Sequence, residues 1–243
     1  DITGGRNLTI SGELDAATGD FSGDVDIDGT LETDAITLGG ASFIKVEGTD
    51  FTGSLLVGHS TTGTLDAAQY NTGVGLTALD ALTTGDNNTT LGYGAGSAIT
   101  TASSCVFIGS GAGDAITGAS DNVAVGAGAL SGTGTASSSA YNVAVGKDAM
   151  NVSNGARFNV AIGKDAGRTI TAGDYNIVIG AEAAENLTSG QGNVIIGANV
   201  DVSSATGDRE LIIHGNSGDD QTTWIQGDSS GNITMPAELA AVS

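Results

Sequence analysis

Three apolar residues closed by a glycine recur along the middle of this chain at a fixed interval. The clearest copies are Asn142-Val143-Ala144-Val145-Gly146, Asn159-Val160-Ala161-Ile162-Gly163, Asn176-Ile177-Val178-Ile179-Gly180 and Asn193-Val194-Ile195-Ile196-Gly197, each 17 residues after the last. Backwards, the glycine stands at Gly126, Gly109, Gly92, Gly75 and Gly58; forwards, its slot falls on His214, still preceded by Leu211-Ile212-Ile213. That makes ten rungs, all spaced by 17 except the step of 20 from Gly126 to Gly146. Three residues inserted between Leu130 and Tyr141 leave the register intact on either side, so they belong in a loop. A fixed period of this length marks a solenoid, in which each repeat packs on its neighbours.

Within a rung the pattern predicts two short strands and two turns. The positions three and one before the glycine are almost all Val, Ile or Leu, whose β-branching suits a pleated surface, and they are expected to fill the coil. The position between them is apolar as well, with Ala124, Ala144 and Ala161 in the middle rungs and Phe107, Val178, Ile195 and Ile212 elsewhere. Strand side chains alternate, so that opposite face needs a second cover. Ala124, Ala144 and Ala161 are therefore expected at an interface where partner chains approach closely. Alanine follows the glycine by three residues, and Leu82, Ile99, Ile116, Ile170 and Leu187 follow it by seven, marking the second strand.

Two further slots carry candidate chemistry. Asn71, Asn88, Asn122, Asn142, Asn159, Asn176 and Asn193 stand four before the glycine, either as a ladder of stacked amides or as turn residues tolerant of αL backbone. Cys105, the single cysteine, occupies the same slot and reads as a small buried residue rather than a reactive thiol. Tyr141, Phe158 and Tyr175 share the slot five before the glycine, with Tyr70 earlier. Such aromatics form a structural ladder or a sugar-binding strip, and the ladder is favoured.

The repeated Asn-Val-Ala-Val/Ile-Gly with a small residue three further on resembles the head repeats of trimeric autotransporter adhesins. That resemblance covers about Ser54 to His214 and implies a left-handed parallel β-roll built by three chains. The period of 17 is longer than that family's shortest repeats, so loop lengths and ligand preferences do not carry over.

Residues 1–50 differ: Leu8 and Ile10, then Val25 and Ile27, alternate with polar residues and are punctuated by Gly12, Gly19, Gly23, Gly29 and Gly39-Gly40. Ile10-Ser11-Gly12 through Asp28-Gly29 looks like the glycine-punctuated shaft of a phage tail fibre. Asp24, Asp26, Asp28 and Gly29 imitate the start of an EF-hand loop, but the twelfth position is Ala35, so a wet strand face is expected instead of calcium. A weak cation site between chains stays open. After His214, Thr222–Asp228 and Asn232–Met235 read as a hairpin around Ser229-Ser230-Gly231, placed to cap the last repeat.

Composition then narrows function. Forty glycines, one proline and 4% aromatics suit repetitive β-structure better than a globular core. A formal charge of −21 with only 7 Lys and Arg argues against nucleic acid or anionic membrane as partner. No apolar run approaches the roughly 18 residues of a membrane span, and Asp1 suggests a processed or excised piece. His59 and His214 lie nine rungs apart, so no Ser/His/Asp constellation or metal site forms within one chain. No metal, cofactor or catalytic residue is expected.

The expected fold is all-β: a homotrimeric parallel β-solenoid (β-roll) of ten rungs of about 17 residues at 51–214, with a short-stranded shaft segment at 1–50 and a C-terminal hairpin cap at 215–243. The expected function is that of an extracellular structural segment of a phage tail fibre or related appendage, a rigid spacer and host-attachment surface. The head of a bacterial trimeric autotransporter adhesin and a polysaccharide-degrading tailspike are the alternatives; an ice-binding solenoid lacks its Thr-x-Thr ranks. Binding to a cell-surface glycan or protein receptor is expected where the repeat is broken, at Thr133, Thr135, Ser137, Ser138, Ser139, Tyr141 and Phe158. Taken alone, that loop reads as a mobile bulge in preference to a contact loop.

Overall fold

The structure, a computed structural model, describes residues 36–38, 41–46, 52–58, 65–132, 138–216 and 221–235. The chain divides into two units, Asp1–Thr33 and Asp34–Ser243, and every described residue belongs to the second. The expectations for Leu8, Ile10, Val25, Ile27 and the acidic run from Asp24 to Asp28 therefore lie outside the described residues, as does His59.

Among the described residues fourteen strands form one sheet in chain order. The first are β1 (Ile36–Leu38), β2 (Ala41–Val46), β3 (Leu55–Val57), β4 (Thr72–Val74), β5 (Thr89–Leu91), β6 (Val106–Ile108) and β7 (Val123–Val125). They continue as β8 (Val143–Val145), β9 (Val160–Ile162), β10 (Ile177–Ile179), β11 (Val194–Ile196), β12 (Leu211–Asn216), β13 (Gln221–Gly227) and β14 (Ile233–Thr234). From β3 to β12 every pair is parallel, which makes about nine solenoid turns; the tenth rung opens instead into β13. Register survives the insertion, with Ala124 opposite Ala144 across β7 and β8. Both ends of the parallel stack are covered by antiparallel strands, β2 on β3 and β13 on β12, so neither edge offers a bare template for further pairing.

Among the described residues each turn holds one strand of three residues, where two were expected. In the rung of β8 the backbone enters the left-handed region at Asp148, Met150 and Phe158 (φ +56°, +48° and +59°), and these corners leave no room for a second extended segment. Ile170 and Leu187, expected in that second strand, are buried but close tight turns, their N–H groups donating to Gly167 O (3.0 Å) and Ala184 O (3.3 Å). The rung glycine is required by its neighbour. At Gly92, φ is +135° and a Cβ would lie 2.7 Å from the carbonyl carbon and oxygen of Gly109 one rung on.

The two faces of the strand are the reverse of the expectation from sequence. Ala124, Ala144 and Ala161 are fully buried inside the coil of a single chain, so they are interior residues and not an interface with partner chains. The flanking Val and Ile residues, half-buried or exposed, form the outer face. Strand alternation explains this: the slot four before the glycine and the slot two before it share a face, and the Asn residues in the first turn inward to complete a ladder.

That ladder runs through the interior. Asn142 Oδ1 accepts from Asn159 N (3.1 Å) and Nδ2 (3.1 Å), Asn159 Oδ1 from Asn176 N (2.8 Å) and Nδ2 (3.0 Å), and Asn176 Oδ1 from Asn193 N (3.0 Å) and Nδ2 (2.9 Å). Each Nδ2 also donates to a carbonyl on its own coil, as Asn159 does to Gly173 O (2.9 Å). Of the two readings open for this slot, the amide ladder is the one realised; the αL residue is the one before the Asn. Ser54 starts the series, its Oγ accepting from Asn71 N (2.7 Å), and Glu210 ends it, donating its N–H to Asn193 Oδ1 (2.8 Å). The Glu210 carboxylate is held by Ser203 N (3.0 Å) and Ser203 Oγ (2.7 Å).

Cys105 breaks the ladder. Its N–H still donates to Asn88 Oδ1 (3.0 Å), but its thiol reaches the carbonyls of Ser103 and Ala119 only over 3.6 Å. Asn122 turns its Nδ2 to Ala119 O (3.1 Å) and Ser120 O (3.3 Å) instead. Burial pushes the Cys105 thiol up to about 11, the Asp121 charge adding to it, while the N–H groups of Asn122 and Asp121 pull the other way. The thiol is therefore neutral and inert at ordinary pH.

Candidate functional site

The residue before each inward Asn sits at an αL corner and projects outward. Along the chain this slot holds Tyr70, Asn87, Ser104, Asp121, Tyr141, Phe158, Tyr175, Gly192 and Arg209. Strand spacing of about 4.8 Å sets the distance between successive side chains, so neighbouring aromatics are forced face to face. Tyr141 and Phe158 stack with centroids 4.8 Å apart and planes 3° from parallel; Phe158 and Tyr175 follow at 4.9 Å and 2°. The rings are 52%, 40% and 59% exposed, so their edges are wet while the faces between them are used up by each other. A sugar can reach a full aromatic face only at the ends of the stack.

Beside the rings runs a second column, six before the glycine. Arg157 donates its N–H to Asp174 Oδ1 (2.8 Å) and pairs its Nη2 with Asp174 Oδ2 (3.6 Å), and Gln191 N donates to Asp208 Oδ1 (2.7 Å). The arrangement is a short aromatic ridge with a polar margin of both signs.

The expected binding residues separate in the structure. Tyr141 and Phe158 come together, with Tyr175 completing the ridge. Ser139 is buried in the interior, where its Oγ accepts from Gly155 N (2.7 Å) and lies 3.2 Å from Ser153 Oγ, so it takes no part in a surface. Ser138 is exposed, and Thr133, Thr135 and Ser137 lie outside the described residues. Gly192 and Arg209 were missed as members of this edge, although the signal was present: they continue the same slot at the same interval beyond Tyr175.

A second polar region lies where the coil meets the C-terminal hairpin. Asn199, Asp201, Ser203, His214, Thr223 and Gln226 line a cleft of about 250 Å³. His214 Nδ1 lies 3.2 Å from Thr223 Oγ1, and its Nε2 is buried with no partner among the described residues. Among the described residues no three of His, Cys, Asp and Glu come together as a metal ion would require. None of the described residues forms a helix long and apolar enough to cross a membrane.

Comparison of the chain with protein-family models, with curated proteins and with solved structures found no match, so function rests on the geometry of the solenoid and its surfaces.

Proposed function

We propose that this chain is a segment of a homotrimeric extracellular fibre, of the phage tail fibre kind, that serves as a rigid spacer and a host-attachment surface and performs no chemistry. The observation that carries this is the outer sheet face. Two columns of side chains run along it, Val106, Val123, Val143, Val160, Ile177 and Val194 in one and Leu91, Ile108, Val125, Val145, Ile162, Ile179 and Ile196 in the other. Several of these are among the most exposed large apolar residues described, including Leu91, Ile108, Ile162, Ile177, Ile179 and Ile196.

A monomer leaves this strip facing water, and strips of such size mark interaction surfaces. The second column continues to Val57 and Val74 at one end and Ile213 at the other, so nine steps of about 4.8 Å give a face roughly 43 Å long. Three residues at about 3.3 Å each make it roughly 10 Å wide, on the order of 430 Å² per chain or about half of the ~800 Å² per partner of a standard interface. The occupant is further copies of the same chain, because a strip that repeats at every rung is matched along its whole length by another strip with the same repeat. Three strips meeting on one axis bury one another and leave the aromatic ridge and acidic loops outside. The high negative charge is tolerated where salt screens it, as in an extracellular setting.

The experiment that tests the attachment role is adsorption of the fluorescently labelled protein to a panel of bacterial cells, with the supernatant assayed for released reducing sugar. Saturable adsorption without sugar release is the expected result. Release of reducing ends would favour the polysaccharide-degrading tailspike.

A further inference from the structure

We propose that the outer face of Tyr175, together with Arg209, is a subsite for one carboxylate-bearing pyranose ring of a surface polysaccharide. This deepens the attachment role and rests on it for its setting.

The aromatic stack ends at Tyr175 because the next residue in the slot, Gly192, has no side chain, and the following one is Arg209. Two steps of strand spacing separate Tyr175 from Arg209, about 9.6 Å, which leaves a layer one ring thick. Gly53 is the other glycine of this slot beside a tyrosine. There the neighbouring Tyr70 leans across, its Cδ1 2.7 Å from where a Cβ would stand, and fills the layer. At Gly192 the heavy atom within 4 Å of that position is Arg209 Cγ, at 3.4 Å, and no ring atom of Tyr175 comes so close. Stacking on Phe158 covers one face of Tyr175, which is nonetheless 59% exposed, and the Arg209 stem leans over Gly192 beside its other face, where no second ring stacks among the described residues.

Arg209 supplies the second, independent observation. Among the described residues Lys147, Arg157, Lys164 and Arg168 all pair with carboxylates, whereas Arg209 is exposed and has no ion pair. An exposed guanidinium with no carboxylate partner among the described residues, in a chain of charge −21, is positioned for an external anion. A pyranose presents a C–H face that lies on a phenol ring and a rim of hydroxyls, and its carboxylate matches the guanidinium fork in bidentate fashion. Gln191, on the neighbouring column of the same edge, provides an exposed amide for the hydroxyl rim. An aromatic side chain of a protein partner could cover the same ring but would leave the guanidinium unmatched. The opposite end of the stack is not equivalent, since the slot next to Tyr141 holds Asp121, which repels a carboxylate.

The test uses the full chain, with methyl β-glucuronide and methyl β-glucoside as probes in saturation-transfer NMR with irradiation of the aromatic protons. Two variants accompany it. Gly192→Tyr continues the stack into the open layer; its φ of +68° is close to the +61° of Tyr175, so the backbone accepts a tyrosine there. Arg209→Gln removes the charge. Wild type is expected to transfer saturation to the glucuronide ring protons and to bind it more tightly than the glucoside. Gly192→Tyr should weaken binding at least about tenfold with an unchanged circular dichroism spectrum, and Arg209→Gln should abolish the preference for the glucuronide. The proposal is overturned by folded wild type that transfers nothing, by equal transfer in Gly192→Tyr, or by Gly192-dependent binding of N-acetylphenylalanine amide in place of either sugar. The mass of the same sample in sedimentation separates the two ideas: a trimer that ignores the glucuronide sinks the subsite alone, and a monomer that binds it sinks the fibre alone.

Discussion

Phe107 fills the space that a side chain on Gly113 would need: a Cβ there would lie 2.6 Å from Phe107 Cζ. The two positions, two before and four after the rung glycine, trade volume in several rungs, though not in that of Gly163, where Ala161 faces Gly167 and Ile170 takes up the space. Gly73 is paired with Leu79, Phe107 with Gly113, Ala124 with Leu130 and Ala144 with Met150, and all eight belong to the interior or line it. Gly113→Ala should therefore cost about 2–4 kcal/mol, combining overpacking with alanine at positive φ. Phe107→Ala alone should cost about 3–5 kcal/mol through its cavity. The double change Phe107→Ala with Gly113→Leu copies the Ala124 and Leu130 pair, and Leu130 already sits at φ +53°. Urea unfolding should find it more stable than Phe107→Ala.

Thr90 is the odd member of the inward column. Its hydroxyl is buried with no hydrogen-bond partner among the described residues, in surroundings that include Leu56 and Phe107. Thr90→Val keeps the shape and removes the unsatisfied group, so it should stabilise the protein by about 1 kcal/mol. A lower melting temperature for Thr90→Val would mean that the hydroxyl has a partner in solution.

The amide ladder should be far more sensitive than its small size suggests. Asn159→Ala leaves Asn176 N and Nδ2 without their acceptor and Gly173 O without its donor, and each buried orphan costs about 1–3 kcal/mol. A loss of at least about 3 kcal/mol is expected. Asn154→Ala, at an exposed turn in the preceding coil, should cost under about 0.5 kcal/mol. Equal effects in chemical denaturation would show that the ladder does not act as a unit.

Cys105 gives the fold a pH dependence with a defined sign. Its thiol titrates near 9.0 when unfolded and at about 11 when buried, so the folded chain holds the proton more tightly. That contribution is complete below pH 9.0 and is lost as pH rises through about 11. Wild type should lose roughly 2–3 kcal/mol over that window relative to Cys105→Asn, which has no thiol and completes the ladder. Parallel stability curves for the two proteins would place the thiol in water.

Much of this architecture is legible in sequence because a solenoid repeats each constraint at every rung. The 17-residue period, the rung glycine and the Asn slot each appear many times over, and the structure uses all three. The direction of the strand faces was not legible from apolarity, since Ala144 and its flanking Val143 and Val145 are all apolar. Size was the better guide: inward positions range from Gly73 to Phe107, with matching changes across the coil at Leu79 and Gly113, whereas the outward Val145, Ile162 and Ile179 hardly change. The second strand failed for a different reason, because αL corners at non-glycine residues such as Met150 and Asp165 carry no clear mark in composition. The aromatic ridge was visible as a slot, but its open end was not, because Gly192 is recognisable as part of the edge only once Tyr175 is seen to end the stack.

The central claim, that the outer Val and Ile columns are buried between copies of this chain, is tested most directly by sedimentation equilibrium of wild type beside Ile162→Asp/Ile179→Asp. Both substitutions place carboxylates on the outer face without touching the interior filled by Ala161 and Val178. Wild type should sediment at three chain masses, and the double variant at one chain mass with its β-sheet circular dichroism retained, since an unpaired charge in the interface costs several kcal/mol. A wild type that sediments as a folded single chain, or a double variant that remains trimeric, would contradict the account.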